Sequence, residues 1–433
     1  MREAGLANRR SSFARQGALT VVFSGLTLAT NMVTGVLVAR ALGASGRGEL
    51  IAVLTATQMV GWAFAFGCSE ATAYRESRHG RDDGVVSAWL VLSLPAGLLA
   101  VLVGEAVLPA LLHAQSSETL HLARLFMLSA FFVPFGLLSV GLLLGARRFL
   151  LYNVFALVQP AAVAVAYLVL WGLGVLTPGV ALGANVAVSL TVGVVLAFVT
   201  LRGRITRPAW SRAWPNVGYG ARVHGTNVGG MMNARLDLLI IPAFLAASQV
   251  GLYSVATNVS WVVVTVAAAI SAIVLPEAAR DPQQGVKTVV RSLQATLGVA
   301  LVLALAIAAV AGVALRVLYG SSFEAAEDAL LLLLPGAVFY ACAGVLWSGL
   351  YALNRPLTAA ATQGLGALVT VLGLFLFLKH GGITAAAIVS TASYAGVFAS
   401  GLLLYRRAAG LAWRDFIAPA TPAPVPLARP SRS

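Results

Sequence analysis

The chain has 433 residues, 59% of them hydrophobic and 10% charged, with a mean hydropathy of +0.88. These proportions exclude an ordinary water-soluble globular domain and place the polypeptide in a bilayer. In a soluble protein the net charge of +14 would point to nucleic acid; here the positions of the charges say more than their sum.

Residues 1–16 form a polar, basic arm that is expected to lie on the membrane surface or stay disordered. Apolar runs of about 20 residues, the length that crosses a ~30 Å hydrocarbon core, then predict twelve transmembrane helices. They cover 17–39, 50–69, 84–104, 124–144, 151–173 and 177–201 in the first half. In the second half they cover 221–245, 251–275, 293–318, 328–350, 358–379 and 383–405. The first run is too long for a signal peptide and lacks a small-residue cleavage site, so it reads as retained. Between the halves, 202–220 reads as a linker with two prolines and four arginines, and Trp210 and Trp214 suit the headgroup layer. After 221–407, residues 408–433 form a Pro- and Ala-rich tail of disordered composition.

With an even number of spans per half, all but six of the 29 basic residues fall on one side. The exceptions are Arg40, Arg47, Arg124, Arg316 and Lys379 on the other side, and Arg235 within a span. The positive-inside rule then puts both termini in the cytoplasm. The basic loops are expected to meet anionic headgroups, so membrane lipids rather than nucleic acid are the expected partners. Abundant Ala, Val, Leu and Gly, with Arg in place of Lys, suggest a high-GC bacterium and its cytoplasmic membrane.

The two halves are copies. Leu42, Ala44, Ser45 and Gly48 recur 203 positions later as Leu245, Ala247, Ser248 and Gly251. Leu143, Arg148, Gly174 and Thr177 recur 207 positions later as Leu350, Arg355, Gly381 and Thr384. Six spans per copy give both copies the same orientation, hence parallel repeats about an axis along the membrane normal. The fold class is all-α and polytopic: two pseudo-symmetric six-helix lobes around a central cleft. Pro95, Pro134, Pro160, Pro242 and Pro335 fall within spans and are expected to bend them, as hinges or as static kinks. GLLLG at 141–145 and GVALG at 179–183 have the spacing of close helix seams.

Span seven is the least apolar. His224, Met231 and Arg235 share one helical face with Asn227 at its edge, while Thr226, Gly230, Asn233 and Asp237 lie opposite. A charge at mid-membrane costs roughly 2.5–3.5 kcal/mol on insertion scales and usually marks a pathway. Arg235 is either an anion anchor, for instance for a pyrophosphate, or a structural ion pair. Asp237 is either a coupling or gating carboxylate, with Asn233 beside it, or a packing hydrogen bond. Span one carries a milder stripe of Ser24, Thr27, Asn31 and Thr34. The candidate substrate contacts are therefore Arg235, Asn227, Asn31 and Thr27. His224 reads as an interfacial histidine, and Arg40 as an interfacial anchor. Cys68 and Cys342 read as free apolar thiols. No Cys or His cluster has metal-ligand spacing, and no cofactor is expected beyond a coupling proton or sodium ion. There is no phosphate-binding P-loop to support direct ATP drive.

The run GVLVARALGASGRGEL at the first hairpin resembles the signature of bacterial polysaccharide exporters and lipid-linked oligosaccharide flippases. NARLDLLIIPAFLAASQVGLYSVATNVS resembles its second-half counterpart, and RVLYGSSFEAAEDALLLLLPG and ITAAAIVSTASYAGVFASGLLLYRR resemble later parts. These are the Wzx-type members of the multidrug/oligosaccharidyl-lipid/polysaccharide (MOP) exporter superfamily, and the resemblance covers about 17–407. It implies MATE-like lobes whose cleft opens to each face in turn. It implies flipping of an undecaprenyl-pyrophosphate-linked oligosaccharide from the inner to the outer leaflet for surface polysaccharide or capsule synthesis. It also implies a cationic cleft, where Arg235 fits best, and a span-seven aspartate, matched by Asp237. This chain departs in having few deep charges in its first half. Twelve spans also differ from the fourteen typical of the lipid II flippase branch. The expected partners are the lipid-linked oligosaccharide, membrane lipids and polysaccharide polymerase machinery, with the chain itself monomeric. Two other readings compete. An ion-coupled multidrug or small-molecule antiporter is motivated by Asp237. A membrane glycosyltransferase or polymerase would have to use Asp82-Asp83 or Glu327-Asp328, which read as solvated loop pairs, so no enzyme is expected.

Overall fold

A computed structural model describes the backbone of residues 2–280 and 282–416, and side chains over 19–225, 235–268 and 285–416. Twelve α-helices follow one another: α1 (Arg2–Ala63), α2 (Cys68–His79), α3 (Asp83–Leu111), α4 (Ser117–Met127), α5 (Val133–Gly145), α6 (Phe149–Gly172), α7 (Pro178–Leu201), α8 (Trp210–Ile240), α9 (Ala247–Arg280), α10 (Pro282–Ala314), α11 (Glu327–Ala352) and α12 (Pro356–Ala409). Among the described residues, nine helical stretches are long and apolar enough to cross a membrane. Two of them are double. Leu19–Ala63 is broken at Gly43 (φ 67°) and Pro356–Ala409 at Gly382 (φ 56°), left-handed positions that suit glycine. The seventh expected span lies in α8.

Several boundaries differ from the sequence reading. The N-terminal arm continues α1 as helix. Half of the expected linker is also helix, because α8 starts at Trp210. Pro134 and Pro242 do not bend spans from within. Pro134 sits in the first turn of α5, where its missing N–H costs nothing, and Pro242 lies in a 3-10 turn after α8. Pro95, Pro160 and Pro335 are interior to α3, α6 and α11. The tail from 417 lies outside the described residues.

The chain forms two compact units. The first comprises 1–255, 312–327 and 374–383; the second comprises 256–311, 328–373 and 384–433. In the first, α5 rests on α2 through the GLLLG seam. A Cβ on Gly145 would stand 2.6 Å from Glu76 Cβ and 3.0 Å from the Ala73 carbonyl oxygen, and one on Gly141 would overlap Thr72 and Ser69. At the GVALG stretch a Cβ on Gly179 would stand 3.4 Å from Leu122, an ordinary contact, and Gly183 faces open space, so no comparably tight approach occurs there. In the second unit, Val289 and Leu293 of α10, Cys342, Leu346 and Leu350 of α11, and Ala359 and Tyr405 of α12 form a buried core. Beside them Tyr340 gathers Trp261, Trp347 and Tyr394, with ring centroids 5.5, 5.4 and 4.9 Å away. Both cysteines are free and buried.

The repeat is visible in the backbone. Arg147 (φ 56°) and Asn354 (φ 57°), 207 positions apart, are both left-handed. The same hydrogen bonds flank them: Arg148 N–H to the Leu143 carbonyl and Arg355 N–H to the Leu350 carbonyl, each 2.8 Å.

The segment joining the copies is bolted to the first. The Arg204 guanidinium donates to both Glu76 oxygens (2.9 and 2.7 Å) and to Asp83 (2.9 Å). Thr206 N–H donates to Ser87 Oγ, and Ala209 N–H to the Gly84 carbonyl, each at 2.9 Å. Asp82 accepts from Arg212 and Arg75. Asn216 accepts from Trp89 Nε1 at 2.8 Å and donates to the Ala71 carbonyl at 2.9 Å.

The Arg212 hydrogen bond, reinforced by Arg75, holds the Asp82 carboxyl well below the usual carboxylate range. A carboxylate with a depressed folded-state pKa contributes stability at pH values above its unfolded value, about 3.9. That contribution is lost as pH falls further toward the folded value. Deuterium exchange across 202–216, corrected for intrinsic rates, should therefore accelerate below about pH 4. Asp82→Asn should show the acceleration at neutral pH, and exchange as slow as wild type in that variant would refute the role assigned to Asp82.

Candidate functional site

Within the first unit, the opening hairpins of the two copies meet. A Cβ on Gly48 would fall onto the Ala247 carbonyl, and one on Gly251 onto the Ala44 carbonyl; the two glycines' own backbones are in contact. Because Ala44 corresponds to Ala247 and Gly48 to Gly251, each contact is the other with the copies exchanged. A second reciprocal pair surrounds it. Arg40 of the first copy donates to the Leu318 carbonyl at 2.8 Å and to the Val317 carbonyl. Gln115 donates to the Pro242 and Leu245 carbonyls, each at 2.8 Å. The 203-residue offset carries Gln115 onto Leu318 and Arg40 onto Ala243. All of these residues lie at the span ends opposite the basic loops.

Arg40 accordingly anchors to the backbone of the second copy rather than to the interface. The carbonyls it takes belong to 315–319, a π-helical last turn after α10, where terminal carbonyls have no partner further along the helix. Arg47, assigned from sequence to the loop beyond the first span, is 1% exposed. Its Nε donates to Ser254 Oγ at 2.9 Å, one of its terminal nitrogens donates to the Gly35 carbonyl, and its guanidinium lies 5.8 Å from the centre of the Tyr319 ring. Among the described residues it has no carboxylate partner. Burying a lone cation costs of order several kcal/mol, and these contacts offset part of that.

Asp237 is 2% exposed. It accepts from Tyr253 Oη at 2.6 Å and from Leu238 N–H at 2.7 Å. Tyr253 and Ser254 are consecutive on α9, so Asp237 and Arg47 are held by neighbouring residues of one helix turn beside the glycine crossing. Arg235 is half-buried on α8, and its contacts include at least one polar or ring partner. On α1, Thr27 is half-buried and Asn31 exposed, four residues apart and so on one face. Asn227 and Asn233 lie outside the described side chains. Among the candidates with described side chains, Asp237 is the one whose polar partners, Tyr253 and Leu238 N–H, are resolved. His224 is buried rather than interfacial. Its Nε2 is 3.1 Å from the Ala63 carbonyl oxygen and its ring is 4.8 Å from Trp62. Among the described residues, no group of three or more His, Cys, Asp or Glu could hold a metal.

The sequence reading missed Arg47, Arg40 and Gln115. For Arg47 a signal was present: its counterpart is Val250, fully buried in an apolar run, and glycines on both sides allow backbone to approach. Gln115 carried no local signal, because its value comes from a chain segment 127 positions away.

If the Tyr253 bond holds Asp237 in place, Tyr253→Phe should cost roughly 1–3 kcal/mol by stranding a buried acceptor. Asp237→Asn, which keeps an acceptor oxygen, should cost less. Thermal unfolding of the purified chain would show the ordering, and an unchanged midpoint for Tyr253→Phe would refute it.

The family described as "Polysaccharide biosynthesis protein" matches residues 37–328. A probable low-salt glycan biosynthesis flippase of Haloferax volcanii is 24% identical over 197 residues, which is 44% of this chain. That match spans 42% of the relative's length. Among solved structures, the lipid II flippase MurJ in an inward closed conformation superposes with TM-score 0.76 at 14% identity, covering 92% of this chain and 89% of that one. An inward-facing multidrug resistance MATE family transporter of the MOP superfamily gives 0.71 at 16%, covering 89% and 94%. The expected MATE-like fold is therefore observed, and the chain belongs to the polysaccharide biosynthesis protein family, as a multi-pass membrane protein with the fold seen in MurJ and in MATE family transporters.

Proposed function

We propose that the chain flips an undecaprenyl-pyrophosphate-linked oligosaccharide from the inner to the outer leaflet of a bacterial cytoplasmic membrane by alternating access. The observation that carries this reading is the reciprocal joint of the two opening hairpins at the span ends opposite the basic loops. Family membership supports a glycan-linked cargo, and in this reading the joint would close the route to the outer leaflet. A lipid-linked sugar can leave on that side only if Gly48 and Gly251 separate. With both termini cytoplasmic, the basic loops face the leaflet where the cargo is loaded.

Arg235 is the residue assigned to the pyrophosphate, with Thr27, Asn31 and Asn227 as polar contacts for the sugar. Asp237 and Asn233 belong to gating. Because Asp237 is engaged by Tyr253, a gate or packing role suits it better than free exchange of a coupling ion. This weakens the antiporter reading, which rests on that single carboxylate. Polymerase machinery would act on the product after release.

The test is direct. A fluorescent undecaprenyl-pyrophosphate oligosaccharide placed in the inner leaflet of liposomes should become accessible to an external lectin only when the chain is present. Arg235→Gln should slow that appearance at least several-fold. No difference between protein-containing and empty liposomes would overturn the reading. Gradient-driven efflux of a cationic dye, abolished by Asp237→Asn, would establish the antiporter instead.

A cost at the joint should also be measurable. Gly48→Ala and Gly251→Ala should each destabilise the purified protein by about 1–3 kcal/mol, because the new methyl meets backbone that cannot rotate away. Gly136→Ala, where a Cβ meets open space within a helix, should be neutral or stabilising by up to about 1 kcal/mol. Equal effects in thermal unfolding at all three positions would show that the crossing is not tight.

A further inference from the structure

On the basic end of the first unit lies a cavity of about 140 Å³, well above the ~10–15 Å³ that one water needs. Its wall is cationic: Arg81, Arg148, Arg202 and Arg204 line it, with Glu76 as the one acidic lining residue. Its floor, made by Leu142, Leu143 and Val199, is apolar. The charges are not equivalent. Arg204 is committed to Glu76 and Asp83, and Arg81 to Asp83. Arg148 and Arg202 have no carboxylate partner among the described residues, and Arg202 rests on the Phe198 ring at 5.6 Å. Arg148 also occupies the N-cap of α6, whose first turn has no side-chain cap. The first-turn N–H groups of that helix and the positive end of its dipole add to the positive potential there.

Two further features indicate what would fill this space. Beside the cavity the outer face of α6 and α7 is exposed and apolar: Leu150, Val194 and Phe198 are 59%, 68% and 62% exposed. A ligand with an anionic head and hydrocarbon chains meets both surfaces at once, whereas a free anion uses only the first. The second feature is the contrast with the other copy. The positions equivalent to Leu143, Ala146 and Arg148 are Leu350, Leu353 and Arg355. There Leu350 and Tyr405 belong to a buried core against which Leu353, Ala409 and Phe416 pack. The turn is duplicated, but in the second copy apolar side chains surround it. The cationic opening is therefore not an inevitable product of the repeat.

We propose that this cavity binds the phosphate of an anionic phospholipid, with Arg148 and Arg202 as the ligating cations and the acyl chains lying along α6 and α7. The shared chemistry is a phosphate group, so the test separates lipid from free anion. The full chain, purified in mild detergent, is titrated with phosphatidylglycerol, phosphatidylcholine and inorganic pyrophosphate, and bound lipid is read by native mass spectrometry. Wild type should retain phosphatidylglycerol over phosphatidylcholine. R148Q/R202Q should weaken that retention roughly 30-fold, from about five-fold for each basic side chain at an anionic surface. R148K/R202K, which keeps the charge, should recover most of it and distinguishes loss of charge from loss of fold. Equal retention of phosphatidylglycerol by wild type and R148Q/R202Q would overturn the proposal. So would equal binding of phosphatidylcholine, or pyrophosphate binding at the cavity with no phosphatidylglycerol retained.

Discussion

Two glycines set the distance at which the copies of this repeat can meet. At Gly48 and Gly251 there is no room for even a methyl group, and the backbone of each hairpin lies against the other. Everything else at that end follows from this approach. Only with the hairpins so close can Arg40 reach the carbonyls of 317 and 318, and Gln115 those of 242 and 245. Only there can Arg47, on the chain between Gly46 and Gly48, enter the interior and find Ser254. A bulky residue at either glycine would push the helices apart and leave a cation and several carbonyls without partners.

The basic end is built differently. There α8 crosses the break between α1 and α2 at Gly67 and Gly220, again with no space for a Cβ. The linker's ion pairs and the Asn216 bonds reinforce the same attachment. In the first unit the start of the second copy is thus fastened to the first copy by side chains at one end. At the other end it meets the first copy through symmetric backbone contacts. Ion pairs shared among several charges resist separation more than isolated exposed pairs do. The fastened end and the symmetric end are therefore mechanically unequal.

The sequence carried the outline of this arrangement unevenly. Hydropathy and charge bias revealed the spans because lipid permits few other solutions for a polar backbone. The four residues that recur from Leu42 to Gly48 marked the duplication but not the contact between the two hairpins, which rests on Gly48 and Gly251. Helix breaks were harder to see. Phe66 and Arg147 are left-handed and nothing in their side chains announces a turn, whereas Asn354, also left-handed, belongs to the residue type that tolerates that conformation. Arg47 was misplaced for a related reason. A cation near a hairpin reads as solvent-facing, and its burial is fixed by Ser254 and Tyr319, more than 200 positions away. Asp237 was singled out as polar inside a span and is buried, but its partner Tyr253 lies on the next helix and no periodicity links the two.

Of the candidate charges inside spans, Arg235 and Asp237 both belong to the second copy. The joint shifts that balance. Arg40 and Arg47 come from the first copy, where the second has Ala243 and Val250 at the matching positions. Duplication preserved the backbone geometry and divergence placed the cations on one side of it. The bonds made across the joint are mostly side chain to carbonyl, and each contributes about 0.5–1.5 kcal/mol net where Gln115 donates and about 1.5–3 kcal/mol where Arg40 does, because water replaces it when it opens. Carbonyl acceptors carry no formal charge to strand on separation. A joint of this kind holds two hairpins in one register yet parts at modest cost. Under the proposed flipping cycle such a wall needs both properties, and neither a hydrophobic core nor a network of buried ion pairs would supply the second.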